Sequence, residues 1–260
     1  MAQLMNEFKN IATIYDRFND LGLYEEWLTF TLAHLDGPGY KVLDAACGTG
    51  YFTRMLAPFT KEIHGFDRDL AMLAANSDSI NEPLMNGQFF QADMLDLKSL
   101  ASDYDLVTCY ADSLCFLVDE LSLRRALDQL YQRLVPGGLL LFDVWTPYQL
   151  TDYFADFSYH DQDDRGALLW DSQVDESQLR VQHQLTYYEQ SVEDPRMYQR
   201  LKTTLIERTY PMSTYLTLLQ AVGFKSSRIK VTCDFSLDSY SPDQDKTAAR
   251  WFFACYKEED

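Results

Sequence analysis

The chain has 260 residues, with 40 Asp and Glu against 22 Lys and Arg and a formal net charge of −18 at pH 7. Binding to nucleic acid depends on Lys and Arg that neutralise phosphates, so this balance disfavours nucleic acid as a partner. Hydrophobic residues make up 47% of the sequence, enough for one domain with an appended subdomain. No apolar run reaches the roughly 18 residues of a membrane-spanning helix.

Cysteine and histidine positions give no disulfide or metal pattern. The five cysteines include no CxxC, and the four histidines are scattered along the sequence. The N-terminal residues lack the basic and then apolar segments of a signal peptide. We therefore expect reduced thiols, no metal site, no contact with membranes and a cytoplasmic location.

Residues 1–39 predict two helices. Apolar residues recur at steps of three and four from Leu4 to Phe18, and again from Tyr24 to Leu35, which is typical of amphipathic helices. A break at residues 19–22 separates the two helices, and Gly-Pro-Gly at 37–39 ends the second.

Strand and helix patterns alternate between residues 40 and 145. Five strands with four helical connectors are typical of a parallel sheet with right-handed crossovers. The clearest helix runs from Leu121 to Leu134, and the Pro-Gly-Gly at 136–138 is expected to stop it.

A glycine-rich turn follows the first predicted strand in the segment VLDAACGTG, residues 42–50. Gly48 and Gly50 let the backbone approach a nucleotide-like ligand closely. The third glycine of a dinucleotide fingerprint is missing, because Tyr51, Phe52 and Thr53 occupy that stretch. The turn therefore favours a ligand without a pyrophosphate over NAD.

Three successive predicted strands each end at an acidic residue, namely Asp44, Asp67 and Asp93. In an open parallel sheet, ligands bind at the carboxyl ends of the strands. Asp67 lies 23 residues after Asp44, where an acid is placed to accept hydrogen bonds from ribose hydroxyls.

Alternating apolar and polar residues between 146 and 210 predict a three- or four-stranded antiparallel sheet. His160 and His183 lie in this region, and for each a surface position is favoured over one that faces the ligand cleft. A helix from Ser213 to Ala221, capped by Ser213, is followed by two strands that we expect to pair at the sheet edge.

The motifs together resemble the class I S-adenosylmethionine-dependent methyltransferases. The resemblance rests on residues 42–50 and on four further segments, which are HGFDRDLAML (64–73), FFQADMLDL (89–97), YDLVTCYADSLCFL (104–117) and LVPGGLLLFDV (134–144). It covers residues 40–145 well and Tyr215 to Lys257 loosely. The chain looks most like small bacterial enzymes of the sugar-amine and glycine N-methyltransferase type.

The resemblance implies an α/β fold with a Rossmann-like, mostly parallel seven-stranded sheet of order 3-2-1-4-5-7-6. Residues 1–39 would form an N-terminal helical cap, residues 40–145 and 211–260 the cofactor-binding domain, and residues 146–210 an inserted antiparallel subdomain. The exposed edge of the inserted sheet is available to pair with a second copy of the chain.

The resemblance also implies which residues bind S-adenosylmethionine. In this sequence they are Tyr15, Trp27, Asp44, Ala46, Cys47, Gly48, Gly50, Asp67, Arg68, Met72, Asp93, Met94 and Tyr110. Ala46 stands where most relatives have a further glycine, so its φ is expected to be negative.

The methyl acceptor is expected at the end of the fourth strand. Asp112 and Tyr15 are the predicted catalytic residues, and Asp112, Ser113 and Trp145 the predicted acceptor-binding residues. The amino-sugar relatives have a histidine where this chain has Phe116, so that base is missing here.

These patterns predict transfer of a methyl group to nitrogen or oxygen of a small molecule. A methyltransferase acting on RNA or protein, and a catalytically weak module that binds S-adenosylmethionine, remain as alternatives.

Overall fold

A computed structural model describes Ala12, Phe18, residues 20–79 and residues 84–259. The first predicted helix and Tyr15 lie outside the described residues. The described helices are α1 (Gly22–Leu32), α2 (Tyr51–Leu56), α3 (Leu70–Ser79), α4 (Glu120–Arg133) and α5 (Met212–Val222).

The described strands form two sheets. The strands are β1 (Lys41–Ala45), β2 (Glu62–Asp67), β3 (Gly87–Gln91), β4 (Tyr104–Cys109), β5 (Leu134–Trp145), β6 (Ser158–Asp163), β7 (Gly166–Asp175), β8 (Arg180–Gln190), β9 (Tyr198–Arg208), β10 (Ile229–Cys233) and β11 (Arg250–Tyr256).

The larger sheet has seven strands in the order β3-β2-β1-β4-β5-β11-β10. Strands β1 to β5 are parallel, and β11 runs antiparallel to both β5 and β10. The predicted order 3-2-1-4-5-7-6 and the mostly parallel Rossmann-like fold are thereby confirmed. Because β11 is antiparallel, its first residue lies at the same edge as the carboxyl ends of β1 to β5.

Two apolar layers cover the faces of this sheet. One contains the buried residues of α4 and α5, such as Leu127 and Leu219, and the other those of α1 and α2, such as Phe30 and Leu56. Since both faces are buried, β5 reads as a continuous apolar run from Leu139 to Phe142, as expected for a central parallel strand.

The second sheet contains β6, β7, β8 and β9 in that order, all antiparallel. In the second half of β9, buried side chains alternate with half-buried ones, and the buried face carries Thr203, Leu205 and Glu207. Leu205 belongs to a small apolar cluster that also includes Phe116, in the turn after β4. This packing holds the second sheet over the carboxyl edge of the larger sheet.

Two predicted helix ends differ from the structure. Helix α4 stops at Arg133 and β5 starts at Leu134, so the Pro-Gly-Gly at 136–138 lies inside the strand. Helix α5 begins at Met212, after Pro211, and makes no side-chain cap, so the predicted cap by Ser213 is wrong. The helix starts after Pro211 and not at Ser213, because the fixed φ of proline is compatible with the start of a helix.

None of the helices in the described ranges combines the length and the hydropathy that crossing a bilayer requires.

Gly87 gives a test of the pairing between β2 and β3. A Cβ added at Gly87 would lie 1.7 Å from the carbonyl oxygen of Ile63, its partner in the register. We expect Gly87→Ala to lower the free energy of unfolding by about 1–3 kcal/mol, because overpacking forces the strands apart. Gly39→Ala, with open space around its Cβ, is the matched control and should change stability by about 0.5 kcal/mol or less. Equal urea midpoints for the two variants would contradict this expectation.

Candidate active site

The glycine loop after β1 is a tight turn. Cys47 N–H donates to the carbonyl of Phe66 over 2.9 Å, and Gly50 N–H donates to the carbonyl of Cys47 over 2.8 Å. Gly48 and Gly50 have φ values of 58° and 77°, which glycine adopts without a steric penalty. The expected negative φ at Ala46 is wrong: it is 55°, so the chain enters the left-handed region two residues before Gly48.

Asp44 lies beneath this loop and is fully buried between two threonines. Thr53 Oγ1 donates to its Oδ2 over 2.5 Å, and Thr108 Oγ1 donates to its Oδ1 over 2.8 Å. Burial raises the pKa of Asp44 to about 6, and the two hydroxyl donors oppose that rise. Asp44 therefore fixes α2 and β4 relative to the loop.

Asp67, at the end of β2, faces the glycine loop. Its Oδ2 accepts a hydrogen bond from Gly48 N–H at 3.0 Å, and its Oδ1 accepts one from Asp69 N–H at 2.7 Å. Burial raises the pKa of Asp67, against the effect of these backbone donors. Each oxygen retains a lone pair for a further donor.

The remaining predicted cofactor-binding residues near β2 and β3 do not form a single cluster. Arg68 is exposed, and Met72 is buried with its methyl group close to Gly48. Asp93 Oδ1 accepts a hydrogen bond from Leu95 N–H at 2.9 Å, and Met94 packs against the core. These four residues follow the ends of β2 and β3, beside the loop.

A cleft opens above the glycine loop between α1 and the end of β4. Its lining residues are Tyr24, Trp27, Asp44, Ala46, Cys47, Gly48, Thr49, Phe52, Tyr110, Ala111 and Ser113. The structure thus brings Trp27, Tyr110 and Ser113 together with the glycine loop. The described predicted residues outside this lining are Gly50, Asp67, Arg68, Met72, Asp93, Met94, Asp112 and Trp145.

Aromatic side chains form one wall of the cleft. The rings of Trp27 and Tyr110 stack with centroids 6.2 Å apart, and Tyr110 Oη hydrogen-bonds Thr31 Oγ1 at 2.8 Å. Trp27 Nε1 is buried and has no hydrogen-bond partner among the residues that the structure describes. A buried N–H without a partner is costly, so this donor fits a ligand acceptor in the cleft.

The turn after β4 has an unusual backbone. Ala111 and Asp112 have φ values of 54° and 52°, which non-glycine residues adopt at a cost. Ser113 Oγ closes the turn by donating to the carbonyl of Tyr110 over 2.7 Å. The turn directs the Asp112 side chain toward β11.

Arg250, the first residue of β11, joins the ends of three strands. Its Nη1 lies 2.8 Å from Asp112 Oδ1 and also contacts Asp143 Oδ2. Its guanidinium stacks on the ring of Trp145, with Cζ 3.6 Å from the centroid. Burial raises the pKa of Asp143 to about 6, although Arg250 opposes this rise, and Asp143 Oδ1 is buried without a partner among the described residues.

A third carboxyl group approaches from the second sheet. Glu207 Oε2 accepts a hydrogen bond from Trp145 Nε1 at 2.6 Å, and Glu207 Oε1 lies 3.9 Å from His183 Nε2. Burial, and then the charge of Asp112, raise the pKa of Glu207 well above its usual range. His160 is exposed as expected, but the surface position expected for His183 is wrong, because its side chain is buried on the inner face of β8.

Sequence analysis missed the site positions of Arg250 and Glu207, and for His183 it preferred the surface to a position facing the cleft. The alternation along β8 and β9 was the available signal, because it puts His183 in step with Val181 and Glu207 in step with Leu205. An ionisable residue on the apolar face of such a strand is a candidate for a buried polar site.

Comparison with known proteins identifies the family. A family model described as a methyltransferase domain matches residues 42–138. A putative methyltransferase of Bacillus subtilis, YqeM, is 30% identical over 231 residues, which are 88% of this chain and 90% of the relative.

Solved structures have the same fold. A S-adenosylmethionine-dependent methyltransferase from Clostridium acetobutylicum has a TM-score of 0.77 at 19% identity, covering 99% of this chain and 97% of that chain. The sugar N-methyltransferase KedS8 from Streptoalloteichus sp has a TM-score of 0.71 at 22% identity, covering 95% and 93%. The near full-length match to the B. subtilis relative, on a fold with this glycine loop and strand order, shows that the chain belongs to the class I S-adenosylmethionine-dependent methyltransferases.

Proposed function

We propose that this methyltransferase transfers the methyl group of S-adenosylmethionine to a nitrogen of a small-molecule amine. One observation carries the proposal: the cofactor cleft opens beside an edge where, among the residues that the structure describes, the carboxyl groups of Asp112, Asp143 and Glu207 face a single guanidinium, that of Arg250. Such an excess of buried acids favours a cationic acceptor, because buried charges need a partner. The similarity in fold to a sugar N-methyltransferase agrees with this choice.

The described residues fit the cofactor. S-adenosylmethionine supplies an electrophilic methyl group on a positively charged sulfur. The glycine loop around Gly48 would bind its methionine part, and the unpartnered Nε1 of Trp27 would donate to one of its acceptors. Asp67 would accept from the ribose hydroxyls with its remaining lone pairs, and Asp44 would hold the loop.

The remaining predicted residues have proposed places as well. Asp93 and Met94 would bind the adenine amino group, and Arg68 and Met72 would flank the ring. Tyr110 would pack on the cofactor, and residues 146–210 would close the acceptor pocket from above.

Asp112 and its neighbours would hold the acceptor. Ser113 lines the cleft and Asp112 precedes it, so both lie where β4 meets the cofactor loop. Trp145 would form the pocket floor beside Arg250. Holding the acceptor nitrogen close to the methyl carbon and in line with it supplies several kcal/mol by reducing the entropy of the encounter.

A transfer assay tests the class of acceptor. We expect tritium from methyl-labelled S-adenosylmethionine to appear in the small-amine fraction of a bacterial extract, isolated by cation exchange. Label in RNA or in protein instead would contradict the proposal and support a macromolecular acceptor. Cofactor binding with no label in any fraction would support a module without turnover.

Asp67 gives a test of the cofactor site. We expect Asp67→Ala to weaken binding of S-adenosylhomocysteine about 100-fold, because hydrogen bonds to a charged group contribute about 1.5–3 kcal/mol each. The measurement is titration calorimetry, and Asp96→Ala, at an exposed acid after β3, is the matched control with unchanged affinity. Equal affinities of the two variants would rule out the role of Asp67.

Asp112 gives a test of the acceptor site. We expect Asp112→Asn to lower kcat/KM for the amine found above about 10- to 100-fold, since a charged partner for the acceptor is lost. Its affinity for S-adenosylhomocysteine should stay within about threefold of wild type. Asp238→Asn, at an exposed loop position, is the control. A loss confined to cofactor affinity would contradict an acceptor role.

A further inference from the structure

Glu207 is a buried carboxyl group that neither the glycine loop nor the cofactor cleft requires. It comes from β9 of the second sheet, yet its side chain reaches Trp145 at the end of β5. Its side chain is only 6% exposed. Retaining an acid in such a place costs stability unless its surroundings satisfy it.

The tautomer of His183 is fixed by its neighbours. Trp170 Nε1 can only donate, and it lies 3.0 Å from His183 Nδ1, so Nδ1 is the acceptor nitrogen. Ser172 Oγ lies 2.7 Å from the same nitrogen, so it shares the single lone pair of Nδ1 with Trp170. Burial lowers the pKa of His183 to about 4, so the ring is neutral at pH 7 and its single proton is on Nε2.

Both Glu207 oxygens therefore face N–H groups, but at different distances. Trp145 Nε1 holds Oε2 at 2.6 Å, whereas His183 Nε2 is 3.9 Å from Oε1, beyond a direct hydrogen bond. Neither Trp145 nor His183 therefore donates a direct hydrogen bond to Oε1 in the described part of the chain. One oxygen is anchored, and the other is left with capacity for a donor from a ligand.

We propose that Glu207 binds the acceptor N–H group and takes its proton, while Trp145 and His183 act as positioning residues. This inference rests on the proposed amine acceptor. The carboxylate of Glu207 accepts a proton from the ammonium form of the acceptor, giving a carboxylic acid and a neutral amine. The nitrogen lone pair then forms the N–CH₃ bond, the electron pair of the broken S–CH₃ bond stays on sulfur, and Glu207 returns its proton to water.

The groups around Glu207 determine whether kcat/KM rises or falls with pH. Asp112 disfavours its charge, Arg250 and the Trp145 N–H favour it, and Cys115 and His183 are neutral neighbours. Burial has the largest effect and raises the pKa. Since the base must be ionised, kcat/KM is expected to rise with pH through a pKa above the usual range of a glutamate.

The first experiment needs no acceptor. The indole N–H resonance of Trp145, assigned by its loss in Trp145→Phe, is followed by ¹⁵N NMR from about pH 5 to 9 with S-adenosylhomocysteine bound. We expect it to titrate in wild type and in Glu176→Gln, an exposed control in the connection between β7 and β8, and to stay constant in Glu207→Gln. A resonance that does not titrate in wild type, or titrates equally in Glu207→Gln, overturns the proposal.

The second experiment measures transfer to glucosamine and glycine as simple amine probes, and to the amine fraction described above. We expect Glu207→Gln to lower kcat about 100-fold or more and to remove the inflection that Glu207 gives to the pH profile of kcat/KM. Its cofactor affinity and unfolding midpoint should stay close to those of wild type. A kcat within threefold of wild type overturns the role of Glu207. If wild type labels no amine, the proposed acceptor is wrong, and the NMR titration alone decides whether Glu207 ionises.

Discussion

Burial of carboxyl groups along one edge of the larger sheet is the constraint on which the site depends. Parallel register puts Asp44, Asp67 and Asp143 near the ends of neighbouring strands. A buried carboxylate must be paired, hydrogen-bonded or protonated. Each acid meets this requirement differently, through threonine hydroxyls, backbone N–H groups or Arg250. The edge is therefore acidic, and because its acids have different hydrogen-bond partners, they can take different roles.

Much of this arrangement could be predicted from local sequence. The alternation of strands and helices predicted a parallel sheet, the family resemblance implied the strand order, and the small-residue turn after Asp44 gave the loop. The position of Asp67 against Gly48 also follows, because neighbouring parallel strands end at the same edge. These features depend on contacts between strands close in sequence, for which periodicity and turn chemistry are sufficient.

Features that depend on distant parts of the chain could not be predicted. Arg250 reaches the edge only because β11 is antiparallel, and it pairs with acids more than 100 residues earlier. Glu207 and His183 come from a different sheet, whose placement over the edge is set by apolar packing around Phe116. The positive φ of Ala46 reflects the tight loop, which overrides the preference of a residue with a Cβ.

Strained backbone and cross-sheet contacts also connect the turn after β4 to the rest of this edge. Left-handed conformations at Ala111 and Asp112 cost about 1–3 kcal/mol each and persist only where the surroundings hold them. Here the Asp112–Arg250 ion pair holds the turn, and Arg250 in turn lies on the ring of Trp145. Because Trp145 is also hydrogen-bonded to Glu207, the turn is connected to the second sheet through a chain of direct contacts. A shift of the second sheet would therefore change the support of Asp112, so the position of the second sheet and the conformation of the turn after β4 are mechanically linked.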